Sequence, residues 1–383
     1  MGRLLVVSNR LPVTLRIEHG EVDARPSAGG LATAMRSVSG EGVLWIGWPG
    51  ELGKTTPAEL AKVDEHLAKI GTKAVHLSAA DVARYYDGFS NGVLWPLLHY
   101  LTEKVRLEAQ RDWLTYKAVN ERFANAIVEA YEPGDRIWIH DYQLTLVPRL
   151  VRAKLPAAPI GFFLHVPFPA EQVFRILPWR EEILRGLLGA DVLGFQTAED
   201  AQHFSSAAVR VLGVEHGADY ISHEGRTTII DAFPIGIDAA HFAKLARTDA
   251  AKREAARIRE SARGRKVVLG IDRLDYTKGI QRRFLAIERF LEREPAWRDK
   301  VLFLQLAVPT RERVAAYSEF RNSVNELVGR VNGQYGAVDF TPLRYLYRSV
   351  PEHQVAGMYT AADVMLVTPF RDGMNLVAKE YVA

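Results

Sequence analysis

With 383 residues, 48% of them hydrophobic and 25% charged, the chain is long enough for two cores at about 100 to 200 residues per domain. Its 49 basic and 46 acidic residues leave a net charge of +3 and are interspersed, which argues against a nucleic-acid footprint. The absence of cysteine excludes disulfides and thiolate metal sites.

The opening MGRLLVVSNRLPV carries one arginine and an apolar run that ends at Ser8 and Asn9. This is too short for a secretory signal and is expected as a first strand. No run approaches the roughly 20 apolar residues of a membrane span, since even PIGFFLHVPFP is broken by prolines and a histidine, so a cytoplasmic protein is expected. Short β-rich runs follow in DRIWIH, IGFFLHV, DVLGFQ, KVVLGI, VLFLQLA and DVMLVTP. Between them YQLTLVPRLVRAKL, AEDAQHFSSAAVRVLG, IQRRFLAIERFLERE and RVAAYSEFRNSVNELVGRV repeat apolar residues at helical spacing. This alternation predicts an α/β class with parallel strands and helical crossovers. Composition shifts near residues 239–266, which are rich in alanine and charge. Two Rossmann-like domains are therefore expected, 1–238 and 239–383.

Ligands of open parallel sheets sit beyond the carboxyl ends of the strands. Those ends are polar here: Ser8, Asn9 and Arg10; His140 and Asp141; His165; Asp272, Arg273, Asp275 and Lys278; Thr310 and Arg311; Arg371 and Asp372. Their spread over both domains predicts an inter-domain cleft. In PSAGGLATAM, Gly29 and Gly30 lead toward a helix whose N-terminus suits an anion, but without a G-x-G-x-x-G spacing a plain loop explains them equally well. In IDRLDYTKG, Arg273 and Lys278 are two fixed cations after a buried strand, suited to a diphosphate; the alternative is a salt-bridge network with Asp272 and Asp275. RYYDGFSNGVLWP sets Tyr85, Tyr86, Phe89 and Trp95 among Asn and Gly, either as platforms for a sugar or as core rings, Phe89 above all as core. No D-x-D pair or H-E-x-x-H occurs, and His140 and His165 belong to different strands. A reaction without metal or cofactor is expected.

Taken in order, VVSNRLP, SAGGLA, FSNGVLWPLLHY, IWIHDYQL, GFFLHVPFP, LGFQT, PIGID, RLDYTKGI, GRVNGQYG and RDGMNLVAKEY resemble the trehalose-6-phosphate synthase family, retaining glycosyltransferases of the GT-B fold. The resemblance spans the whole chain. It implies glucose transfer from a nucleotide sugar, UDP-glucose first among them, to glucose 6-phosphate, giving trehalose 6-phosphate and a nucleoside diphosphate. Domain 1–238 would then bind the acceptor and domain 239–383 the nucleotide sugar.

By motif, the resemblance implies a donor site of Gly30, His165, Arg273, Lys278, Asp372, Gly373, Met374, Asn375 and Glu380. Arg273 and Lys278 would hold the diphosphate, Glu380 the ribose hydroxyls, and Asp372 with the N–H groups of Gly373, Met374 and Asn375 the glucose. It implies an acceptor site of Arg10 and Arg311 on the phosphate, with Trp45, Tyr86, Trp95 and Asp141 around the sugar. Arg273, Lys278, Asp141 and Asp372 are the expected catalytic residues. A diphosphate already leaves well, so charge stabilisation matters more than a strong acid. Covalent retention would need two carboxylates about 5 Å apart, for which Asp141 and Asp372 are the candidates; the resemblance implies front-face transfer instead. Alternatives are a glucosylglycerol-phosphate synthase using glycerol 3-phosphate and a catalytically silent regulatory member. Expected partners are the nucleotide sugar and sugar phosphate, with no nucleic acid or membrane; a homo-oligomer is left open. Family members continue beyond VAKEYVA, so the second domain is expected to be incomplete and the isolated chain poorly stable or inactive.

Overall fold

The computed structural model describes residues 2–18, 21–26, 42–53 and 55–383. It divides into two compact units, Met1–Ile235 and Gly236–Ala383, so the division falls a few residues before 238/239. Among the described residues no helix is long and apolar enough to cross a membrane.

The first unit is built on nine strands: β1 (Leu4–Arg10), β4 (Val43–Trp48), β5 (Thr72–Ala74), β6 (Arg136–His140), β7 (Ile160–Phe163), β8 (Val192–Phe195), β9 (Glu215–His216), β10 (Tyr220–His223) and β11 (Arg226–Ala232), with β2 (Val13–Glu18) and β3 (Glu21–Pro26) forming a separate antiparallel hairpin. The sheet order is β5-β4-β1-β6-β7-β8-β11-β10-β9. Its strands are parallel from β5 to β11, whereas β10 and β9 close one edge antiparallel, an addition the alternation did not announce. In β1, Leu5, Val6 and Val7 are wholly buried, as a central parallel strand covered on both faces requires. Helix α1 (Pro57–Lys69) starts at a Thr56–Glu59 capping box and turns Val63 and Leu67 inward against Val6 and Trp45. The chain leaves β1 for β4 on one side and returns with β6 on the other. The carboxyl ends of β1 and β6 therefore flank a switch point.

The aromatic-rich stretch winds as a π-helix over Val82–Leu94. It buries Tyr85 and Phe89 completely. Phe89 packs on Trp113, Tyr116 and Trp179, with ring centroids 5.1, 4.7 and 5.2 Å away, a core role.

The second unit holds β12 (Lys266–Arg273), β13 (Val301–Val308), β14 (Leu343–Tyr347) and β15 (Val364–Met365), all parallel in the order β14-β13-β12-β15. On one face Val267, Leu269, Leu302 and Leu304 meet α2 (Asp249–Ala262) and α3 (Glu352–Ala361) through Ala255, Ile258, Met358 and Tyr359. On the other, Phe303 and Val301 meet α4 (Ile280–Arg293) and α5 (Ala315–Tyr335) through Phe284, Ile287, Val324 and Val331. The run DVMLVTP pairs for only two residues before the chain departs. Here too the order reverses: β12, β13 and β14 proceed one way and β15 returns beside β12, so the loops after β12 and β15 share a second switch point.

Candidate active site

In the second unit, β12 ends at the exposed Arg273 and runs into the turn 274–279, which carries Lys278. After β15 the chain passes through Thr368 and Phe370 to Asp372 and the short helix α6 (Leu376–Val382). These two segments are fastened together at several points. The Phe370 N–H donates to the Thr277 carbonyl at 2.9 Å, Arg283 Nε donates to Thr368 Oγ1 at 2.9 Å, and Lys278 Nζ donates to Asp372 Oδ2. Asp372 also accepts from Asn375 Nδ2 at 3.3 Å, while Asn375 Oδ1 caps α6 by accepting from the Ala378 N–H at 3.0 Å. Among the described residues nothing accepts from the N–H groups of Gly373, Met374 or Asn375. Lys278, Asp372 and those three N–H groups thus converge on the switch point.

Beneath the turn lie two buried networks. Arg283 donates to Asp272 Oδ2 at 2.6 Å and to Gln305 Oε1 at 2.7 Å. Burial still pushes the Asp272 carboxyl up, against the pull of Arg283. Asp275, wholly buried, accepts from the Thr277 N–H at 3.0 Å, from Tyr317 Oη at 2.9 Å and from Arg311 at 2.5 Å. Arg311 therefore lies in the second unit with its guanidinium turned against Asp275 and Tyr317, and its side chain is 4% exposed. Glu380, half-buried on α6, has its carboxyl pushed up by burial and accepts from Tyr359 Oη at 2.7 Å.

In the first unit, Arg10 at the end of β1 pairs in register with Trp48 at the end of β4, and its guanidinium lies 4.7 Å from the centroid of that ring. Gly50, at φ +98°, lets the guanidinium approach: a Cβ there would lie 2.7 Å from Arg10 Nη2. The Tyr86 ring stands 6.5 Å from Trp48. Trp45, the tryptophan expected at the acceptor sugar, is 4% exposed, as is Trp48. It lies three residues earlier on β4, on the opposite side of the strand, where it packs with Val6, Leu11 and Val63 and donates its indole N–H to Ser8 Oγ at 2.7 Å. Trp48 takes the position beside Arg10 and Tyr86. The signal available in the sequence was its place at the strand end, before Pro49 and Gly50. Trp95 is buried between His99 and Tyr142, at ring distances of 4.2 and 5.6 Å.

At the end of β6, Asp141 adopts φ 75° and ψ 167°, a region otherwise left to glycine. Its N–H donates to the Phe163 carbonyl at 2.8 Å and its Oδ1 accepts from the His165 N–H at 3.2 Å. The imidazoles of His140 and His165 share a hydrogen bond, Nδ1 to Nε2, of 3.0 Å. Burial holds His140 well below the usual imidazole range and brings His165 down to about 4, so both are neutral at pH 7. An apolar hollow of about 440 Å³ on this sheet face, lined by Trp138, Phe163 and Phe233, offers these imidazoles but no cation for a phosphate. Gly30 lies outside the described residues. Among those described, no group of three or more His, Asp or Glu side chains could hold a metal ion.

A sequence model of glycosyltransferase family 20 matches residues 2–383. The bifunctional trehalose-6-phosphate synthase/phosphatase of Thermoproteus tenax is 45% identical over the whole chain, which spans about half (53%) of that relative's length. An α,α-trehalose-phosphate synthase (UDP-forming) from Burkholderia xenovorans, solved in complex with glucose-6-phosphate, aligns with all of this chain and 82% of its own at 35% identity and a TM-score of 0.87. A structure from E. coli bound with UDP-2-fluoro glucose aligns with all of this chain and 81% of its own at 35% identity and a TM-score of 0.86. These likenesses show the GT-B fold expected from the sequence.

Proposed function

The chain belongs to glycosyltransferase family 20, and from that premise we propose that it is a retaining glucosyltransferase that moves glucose from UDP-glucose to glucose 6-phosphate, giving trehalose 6-phosphate and UDP. The names of the relatives support the reaction, and the glucose-6-phosphate and UDP-2-fluoro glucose complexes of the two bacterial structures support the substrates. One observation of this chain carries the reading: the contact between Lys278 and Asp372 that joins the loops after β12 and β15, with Arg273 ending β12.

A cation and a carboxylate sharing one bond at a switch point can take opposite ends of a nucleotide sugar. The diphosphate offers Lys278 a second acceptor, which turns Asp372 toward the sugar hydroxyls. Arg273 and Lys278 then stabilise the charge developing on the departing diphosphate, the step on which a reaction with so good a leaving group depends. The N–H groups of Gly373, Met374 and Asn375 serve the glucose and Glu380 the ribose. In the first unit, Arg10, Tyr86, Trp95 and Asp141 serve the acceptor, with Trp48 beside Arg10. A donor phosphate oxygen takes the acceptor proton, and glucose keeps its anomeric configuration.

The test is product identification with UDP-, ADP- and GDP-glucose against glucose 6-phosphate and glycerol 3-phosphate. Trehalose 6-phosphate formed from UDP-glucose is the expected product. Arg273→Ala should lower kcat by about 100-fold or more. Transfer to glycerol 3-phosphate alone, or no transfer at all, would overturn the assignment.

A further inference from the structure

Tyr359 reaches Glu380 from the core. Its ring is 8% exposed, packed with Val267, Leu269 and Met358 beneath β12, and faces the ring of Tyr381 nearly edge-on at 6.0 Å. Its hydroxyl is directed outward and donates to Glu380 Oε2 at 2.7 Å. We propose that Tyr359 is a positioning residue that holds the Glu380 carboxylate in one rotamer, with Oε2 occupied and Oε1 presented to the vicinal hydroxyls of a ribose. The inference rests on the reading of this unit as a nucleotide-sugar site.

The chemistry of the pair favours that role. An ionised carboxylate accepts hydroxyl donors more strongly than the neutral acid, and burial pushes Glu380 toward its neutral form. A phenol O–H bonded to one oxygen counters that pressure, and burial pushes the Tyr359 hydroxyl upward so that it remains a donor. The glutamate side chain has three torsions, whereas tyrosine has two and its ring is already immobilised by the core. The bond therefore fixes the mobile partner before any ligand arrives. The site keeps Oε1 for the ligand, because the donor to Oε2 comes from within the fold.

A merely structural bond, tying α6 to α3, would make a different prediction, and the two are separated by the ribose. Isothermal titration of UDP, 2′-deoxy-UDP and 3′-deoxy-UDP should show the wild-type chain favouring UDP by about tenfold, the value of one good hydrogen bond. Tyr359→Phe keeps the ring and should reduce that preference to about threefold or less, with binding of the deoxy analogues changed less than about twofold. Glu380→Gln should abolish the preference, and the double variant should lose nothing more. Equal weakening of all three ligands by Tyr359→Phe, or an unchanged preference, overturns the positioning role. Wild type that binds UDP without preferring ribose overturns it too, while leaving the nucleotide-sugar site in place; failure to bind UDP at all removes both.

Discussion

Asp141 holds a conformation that costs an ordinary side chain about 1–3 kcal/mol, and the bonds from its N–H to Phe163 and from the His165 N–H to its carboxylate keep it there. The loop thereby fixes a carboxylate at the end of β6. Asp141→Gly should therefore be more stable than Asp141→Ala by about 1–2 kcal/mol in urea unfolding, reversing the usual order of the two residues. Ala equal to or above Gly would mean that the backbone relaxes once the carboxylate is gone. Polar groups at strand ends were legible at this scale, because composition changes abruptly where a buried strand stops. Trp45 and Trp48 were not separable by composition. Only the strand's alternation and the register of Arg10 with Trp48 decide which of the two buried indoles meets Arg10.

The loops after β12 and β15 hold Lys278 and Asp372 together because the turn before α4 comes unusually close to its neighbour. Gly279 sits at φ +67°, and a Cβ there would lie 2.1 Å from the Thr368 carbonyl oxygen. Strain and collision act together, so Gly279→Ala should destabilise the second unit by more than about 2 kcal/mol and displace the loop carrying Asp372. Urea unfolding and UDP titration check both halves; unchanged stability would show that the two segments are not coupled. The turn itself was readable as TKG after an apolar strand, but its docking partner was not. Thr368 lies 89 residues away in a run that looks like an ordinary strand and pairs for only two residues. The π-helical winding of Val82–Leu94 was hidden for a related reason: its aromatic residues satisfy helical and extended packing alike until Trp113, Tyr116 and Trp179 select one.

The α/β class and its parallel strands were legible because strand and helix periods alternate from end to end, whereas the antiparallel edge β9–β10 is too short and polar to register as a pattern. How each core responds to acid depends on what it buries. In the first unit, His140, His165 and His223 are all lowered by burial, His165 from 6.5 to about 4. Between about pH 6.5 and pH 4 the unfolded chain binds a proton that native His165 refuses. Stability therefore falls as pH drops through that window, by up to about 1.4 kcal/mol per pH unit from His165, with His140 and His223 acting in the same direction. In the second unit, Asp272 and Glu380 are raised by burial, so their burden is relieved on the acid side and opposes the trend. Of the 7 tryptophans only Trp297 belongs to the second unit, so tryptophan fluorescence follows the first. Its urea midpoint should decline from pH 7 to pH 5, and His140→Phe should make the decline shallower by removing one of the rings. A midpoint that stays level over that range would mean that the rings take up protons without unfolding, which would remove the physical basis for neutral imidazoles at the ends of β6 and β7.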